Sequence, residues 1–91
     1  MTTQTESDTL VDIALGRVHN VVLFDDNIHG MYEVVEQIIK AIHCDGMTAV
    51  KIMTEAHHTG RAIVITAGLE RCELVASILE EIRLGVTIEG A

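Results

Sequence analysis

The chain carries two β-branched apolar runs, RVHNVVLF over Arg17–Phe24 and RAIVIT over Arg61–Thr66, and the stretch between them changes period. Both runs read as strands, because β-branched side chains pack well on a pleated surface. Between them Val34, Val35, Ile38, Ile39 and Ile42 recur at helical spacing, which predicts a helix from about Met31 to Ile42. Asp45 stands where it can cap a second helix, roughly Gly46 to His58, with Ala49, Val50, Met53, Ala56 and His57 on its inner face. Gly60 supplies the stop, since glycine takes a left-handed conformation without steric cost. Thr66 or Gly68 then opens a third helix, with Leu69, Cys72, Val75, Ala76, Leu79 and Ile82 on one stripe and Glu70, Glu73, Glu80, Glu81 and Arg83 mostly on the other. Leu84-Gly85 ends it, and Val86–Ile88 forms a short last strand. The order β-α-α-β-α-β, with three helices on one face of a three-stranded antiparallel sheet, is an α+β two-layer sandwich.

Ninety-one residues make one domain, and 48% hydrophobic residues give it a core. Phe24 and Tyr32 are the sole aromatics, so aliphatic side chains and Met must fill that core. Thr2 to Asp8 is polar and rich in Thr and Ser, and Gly16 punctuates before regular structure begins, so residues 1–16 are expected to be a flexible extension and 17–91 the folded domain. The opening MTTQTESDTL has neither a basic region nor an apolar run and does not read as a signal peptide. No apolar segment approaches the ~20 residues of a membrane span. Cys44 and Cys72 lack framework spacing, which fits reduced thiols in a cytoplasmic protein. Fourteen acidic residues against six basic ones give a net charge of −8, which repels phosphate backbones and anionic lipid and excludes nucleic acid and membrane as partners. The same charge attracts cations, a free N-terminal ammonium among them, and also serves plain solubility.

No nucleophile motif, phosphate-binding glycine loop or Cys-x-x-Cys pair occurs, so neither catalysis nor a cofactor is expected. His43-Cys44 and His57-His58 are adjacent pairs, and neighbours on a helix point roughly 100° apart. Zinc ligands usually stand two to four apart, so no metal site is expected. A different constellation is more pointed. Asp25-Asp26-Asn27 ends a strand, Met31 and Val34 start the next helix, and Met53, Ala56 and His57 share a face of the following one. Where the turn meets that face, carboxylate and amide acceptors stand beside a histidine at the mouth of a Met-lined hollow, the design of a small-ligand pocket. From spacing alone the same residues also fit a plain core of Met53 and Ala56 with His57 capping a helix end.

The stretches VVLFDDNIHGMYEVVEQI and KIMTEAHHTGRAIV, with a chain end of the form L-x-x-T-I/L-E-x-A, resemble the ClpS adaptor family of the N-degron pathway. The resemblance runs from Arg17 to Ala91 without a gap. It implies a non-enzymatic, monomeric adaptor that binds bulky hydrophobic N-terminal residues (Leu, Phe, Tyr, Trp) and delivers their proteins to a ClpA- or ClpC-type AAA+ unfoldase working with the ClpP peptidase. It implies that Asp25, Asp26 and His57 hold the α-ammonium, with Asn27 third in the turn. It places the gatekeeper at Met31 and the side-chain pocket at Asn27, Ile28, His29, Val34, Met53, Ala56 and Leu84. The segment engaging the unfoldase pore would be Met1 to about Gly16.

The chain departs from that pattern at the site itself. Asp-Asp-Asn replaces the usual Asn-Asp-Asp, His29 stands in place of a small polar residue, Gly30 in place of Pro or Ser, and Ala56 in place of Val. A carboxylate as first acceptor makes a charge-assisted bond to an ammonium. The changed turn fits a divergent lineage or a chain altered toward another N-terminal residue. Two rival readings are an amino-acid-sensing regulatory domain and a purely structural interaction module. A free amino acid brings its own carboxylate, and the nearest cation in sequence, Arg17, lies at the far end of the first strand.

Overall fold

The structure, a computed structural model, describes residues 10–11 and 14–91. Strands β1 (His19–Phe24), β2 (Arg61–Ala67) and β3 (Val86–Gly90) form one antiparallel sheet in the order β2-β1-β3. Helices α1 (Met31–Ile42), α2 (Gly46–Thr59) and α3 (Leu69–Glu80) complete the order β-α-α-β-α-β. The expected α+β sandwich is the observed fold. Most of the expected N-terminal extension lies outside the described residues; within it, Leu15 donates its N–H to the Val11 carbonyl at 3.0 Å. Among the described residues no helix is long and apolar enough to cross a membrane.

The core is built from one face of the sheet. Val21 and Leu23 of β1 and Ala62, Val64 and Ala67 of β2 are buried against Val34, Ile38, Ala49, Met53, Val75 and Leu79 of the helices. Val22 points the other way and is still only 1% exposed, because it lies on the central strand between Ile63 and Thr87. The β1–β2 register slips between Val21, opposite Ile65, and Val22, opposite Ile63, which leaves Val64 as an extra residue. This bulge shifts the burial phase of β2 from Ala62 and Val64 to Ala67. Nothing in RAIVIT announces it.

Helix α1 begins and ends as the apolar period predicts, and the Asp45 side chain caps α2 by accepting the Thr48 N–H at 2.8 Å. The inner stripe of α2 is narrower than expected: Ala49, Met53 and Ala56 are buried, whereas Val50 and His57 are exposed. Helix α3 stops at Glu80, earlier than its stripe suggests. Glu81 and Arg83 donate to Ile78 and Glu80 at 3.1 and 2.8 Å, i→i−3 bonds that tighten the last turn and take Ile82 off the helix. Strand β1 starts at His19 instead of Arg17, and β3 runs on to Gly90 instead of stopping at Ile88. Cys72 is a buried core thiol, within 3.4 Å of the His19 carbonyl, and Cys44 is also free. Burial pushes both thiol pKa values up, away from reactivity.

Two backbone bonds clamp the end of β1. Phe24 donates to Gly85 at 2.9 Å and Asp25 donates to Gly60 at 3.0 Å. Gly60 accepts the second while its own N–H closes α2 on Ala56 at 2.9 Å, with φ of 95°. A Cβ at Gly60 would meet nothing within 4 Å, so only the backbone conformation objects to a side chain. Gly60→Ala is therefore expected to cost about 1–2 kcal/mol, read as a lower urea midpoint with unchanged slope. An unchanged midpoint would show that the left-handed cap does not set the path from α2 to β2.

Candidate functional site

The segment Asp25-Asp26-Asn27-Ile28-His29-Gly30 turns the chain from β1 into α1, and Asp26 organises it. Its Oδ1 accepts the N–H groups of Ile28 and His29 at 2.6 and 2.9 Å. An aspartate bonding forward to its own backbone in this way replaces the bonds a helix or strand would supply. Its Oδ2 lies 2.6 Å from Nδ1 of His29, and the two side chains are only 12% and 16% exposed. Glu33 closes the turn on α1 by accepting the Gly30 N–H at 3.0 Å, while Gly30 has no side chain with which to cap.

Burial alone would raise the Asp26 pKa, but the N–H donors of His29 and Ile28 and the His29 ring outweigh it and hold the carboxyl below its ordinary value. The bond to Asp26 is the main reason the His29 imidazole is raised above its ordinary value. The pair therefore contributes fully between the ordinary carboxylate value of 3.8 and the ordinary imidazole value of 6.5. That contribution is lost as pH falls through the lowered pKa of Asp26, and again as pH rises through the raised pKa of His29.

Asp25 is placed differently. Its Oδ1 accepts the Asp26 N–H at 2.9 Å and lies 3.3 Å from Nδ1 of His57, which α2 presents from the other side. Both side chains reach water, at 34% and 67% exposure. Between turn and helix lies a cavity of ≈ 470 Å³. Met31, Val34, Met53, Ala56 and Leu84 line it from the apolar side, and Asp25, Asp26, Asn27, His29 and His57 from the polar side. The helical spacing of Met53, Ala56 and His57 does bring them to one wall. Met31 stays 67% exposed.

Ile28 is a correction. It is 89% exposed and does not line the cavity, because the Asp26 bonds fix its N–H inward and leave its side chain to solvent. Leu23, Phe24, Thr54 and His58 line the cavity without having been singled out. Leu23 and Phe24 immediately precede the acidic turn, which is a readable signal. The His57 and His58 rings lie edge to face 5.6 Å apart, and the cavity reaches both. Arg61 corrects the expectation about cations: it pairs with Phe24 beside the turn, not at the far end of β1. Its guanidinium is held by Glu89 at 2.5 Å and lies 5.6 Å from the Phe24 ring centroid. Among the described residues no group of three or more His, Cys, Asp or Glu side chains could hold a metal ion.

The chain is thus a small α+β sandwich whose central strand ends in an acidic turn over a Met-lined pocket. The family model described as "ATP-dependent Clp protease adaptor protein ClpS" matches residues 16–84, and the chain belongs to the ClpS family. The structure of Agrobacterium tumefaciens ClpS2 bound to L-phenylalaninamide is similar in fold, with a TM-score of 0.77 at 20% identity over 81% of this chain and 96% of that chain. No curated protein matches the sequence.

If Asp26 is what raises His29, then Asp26→Asn removes the charge but keeps an acceptor, and the His29 midpoint should fall toward its ordinary value. Imidazole Hε1 shifts followed by proton NMR across the titration measure this directly. A midpoint that stays where it is would assign the raised pKa to Glu33 and the Ile82 carbonyl, the other groups that favour the protonated ring.

Proposed function

We propose that this domain binds the free amino end of other proteins, with the α-ammonium at the acidic turn and the first side chain in the cavity. The observation that carries the reading is the joining of an Asp25–His57 pair, 3.3 Å apart at the mouth, to an apolar cavity of ≈ 470 Å³ below it. That volume lies within the roughly 300–1,000 Å³ of small-ligand pockets. An ammonium loses its water on entering such a site, so acceptors must replace that shell. Asp25 supplies one, the turn around Asp26 and Asn27 further ones, and the His57 ring another. Each hydrogen bond to a charged group adds roughly 1.5–3 kcal/mol, and burying a Leu- or Phe-sized side chain a further ~1.5–3 kcal/mol. After association costs this supports roughly micromolar recognition.

The ClpS2 neighbour points the same way. Its ligand, L-phenylalaninamide, has a free amine, an aromatic side chain and a capped carboxyl, which is the chemistry of a protein's first residue. The preferred first residues are accordingly Leu, Phe, Tyr and Trp, with Ile and Val weaker because Met31 crowds the space beside Cβ. A free amino acid fits less well: its carboxylate would face Asp25, and the nearby Arg61 is engaged by Glu89. Family membership supports delivery to a ClpA- or ClpC-type AAA+ unfoldase in the cytoplasm by a monomeric domain over residues 17–91. Residues 1–16 are assigned to that contact, with Leu10, Val11 and Leu15 exposed among those described.

Calorimetric titration tests the reading. A short peptide beginning with Leu should bind, its N-acetylated form should not, and Asp25→Ala should weaken the free peptide at least about tenfold, ~1.4 kcal/mol. Equal affinity for the free and acetylated peptides contradicts an amino-end site.

Pocket depth gives a second expected outcome. Ala56 is 4% exposed and lines the cavity floor, so two added methyl groups have nowhere to go but into the pocket. Ala56→Val should penalise Trp and Tyr peptides by roughly 1–3 kcal/mol through overpacking and leave Leu peptides nearly unaffected. A peptide array over all first residues reads the pattern, and a uniform loss would place Ala56 outside the side-chain site.

A further inference from the structure

Asp26 and Asp25 are adjacent carboxylates at one cavity mouth, and they are committed to different partners. Asp26 makes two bonds to its own turn through Oδ1 and meets a ring nitrogen of His29 through Oδ2. Asp25 keeps a more exposed carboxylate that faces His57 across the mouth. His29 itself walls the cavity, so whatever enters meets an imidazole already seated on one of the two acids.

We propose that His29 is a positioning residue that divides the labour of the acidic turn: it seats a resident imidazolium on Asp26, leaves the incoming ammonium to Asp25 and His57, and competes with that ammonium for the negative charge of the mouth. The proposal rests on the amino-end reading of the pocket. Its physical content is a charge balance. With His29 protonated, the imidazolium offsets one of the two carboxylates of the mouth, and with His29 neutral that carboxylate's field acts on the ligand. A neutral ring still donates from Nδ1 to Asp26, so the turn keeps its shape while its charge changes. Ligand and proton are then linked reciprocally: a bound ammonium lowers the affinity of His29 for its proton, and protonation lowers the affinity for the ammonium by the same factor.

The groups facing the ring are known on every side. Asp26 holds it from the turn, and Glu33 acts on it from the first turn of α1. The Ile82 carbonyl faces it from the segment after α3, and Asp25, His57 and His58 share the cavity wall. Asp26 and Glu33 both favour the protonated ring and hold its pKa above the ordinary imidazole value. His57 and His58 line the same cavity, so their effect must be separated from that of His29 by experiment.

The test uses the full chain and a peptide beginning Leu-Ala-Ala with a fluorophore at its far end, followed by anisotropy from about pH 5.5 to 7.5, below the α-amine pKa of ~7.7–8.0. His29→Gln keeps a donor for Asp26 and removes the titrating charge. The wild-type protein should gain roughly three- to tenfold in affinity across that range beyond the gain of His29→Gln. The variant should bind more tightly than wild type at the acid end, the two converging as pH rises. Any pH dependence that arises outside His29 is common to both proteins and cancels in their ratio. A ratio that stays constant with pH, or a variant that is weaker at the acid end, overturns the role of His29 while leaving the amino-end site intact. Acetylated peptide binding wild type as well as the free peptide does overturns both.

Discussion

The site depends on one carboxylate that is spent on structure. Asp26 accepts two successive backbone N–H groups and a ring nitrogen, and so folds six residues between β1 and α1 into a fixed shape. Without those bonds the N–H groups of Ile28 and His29 would have to find water, and the entry into α1 would lose its register. With them, Asp25 is aimed across the mouth at His57, and Met31 and Val34 begin a helix at the right height to wall the cavity. The backbone bonds from Phe24 and Asp25 to Gly85 and Gly60 carry this geometry into the sheet.

The surroundings make the arrangement stable without making it polar throughout. Val21 and Leu23, one strand turn before the acids, are at most 1% exposed, so the turn leaves a rigid, fully packed strand. Leu23 also lines the cavity, which means the core and the pocket floor share a wall. In a chain of net charge −8, His29, His57 and His58 line the cavity beside the two carboxylates of the turn. Such a net charge favours a cationic ligand over an anionic one.

Much of this was legible in the residues. The limits of α1, the Asp45 cap and the Gly60 stop follow from period and capping chemistry, because each is decided within a few residues of chain. The meeting of the acidic turn with Met53, Ala56 and His57 was legible because a compact sandwich leaves few ways to place them. The illegible features are those decided across the chain or within a turn. The β2 bulge depends on the register against β1, and the early end of α3 depends on how Ile82 packs. The family resemblance places Ile28 in the pocket, but the Asp26 bonds turn its side chain outward. The pairing of His29 with Asp26 needs the three-dimensional turn, since i,i+3 neighbours outside a helix meet only where the backbone folds back.

On the proposed reading, one small ligand with a free amine and an apolar side chain occupies the cavity between the acidic turn and α2. Titrating L-phenylalaninamide into isotopically labelled protein and following backbone amide shifts tests it at residue resolution. Saturable shifts are expected, concentrated at Asp25–Met31, at Met53–His58 and at Leu84. Shifts concentrated instead on the open face of the sheet, around Ile63 and Thr87, or no shifts at millimolar ligand, would contradict it.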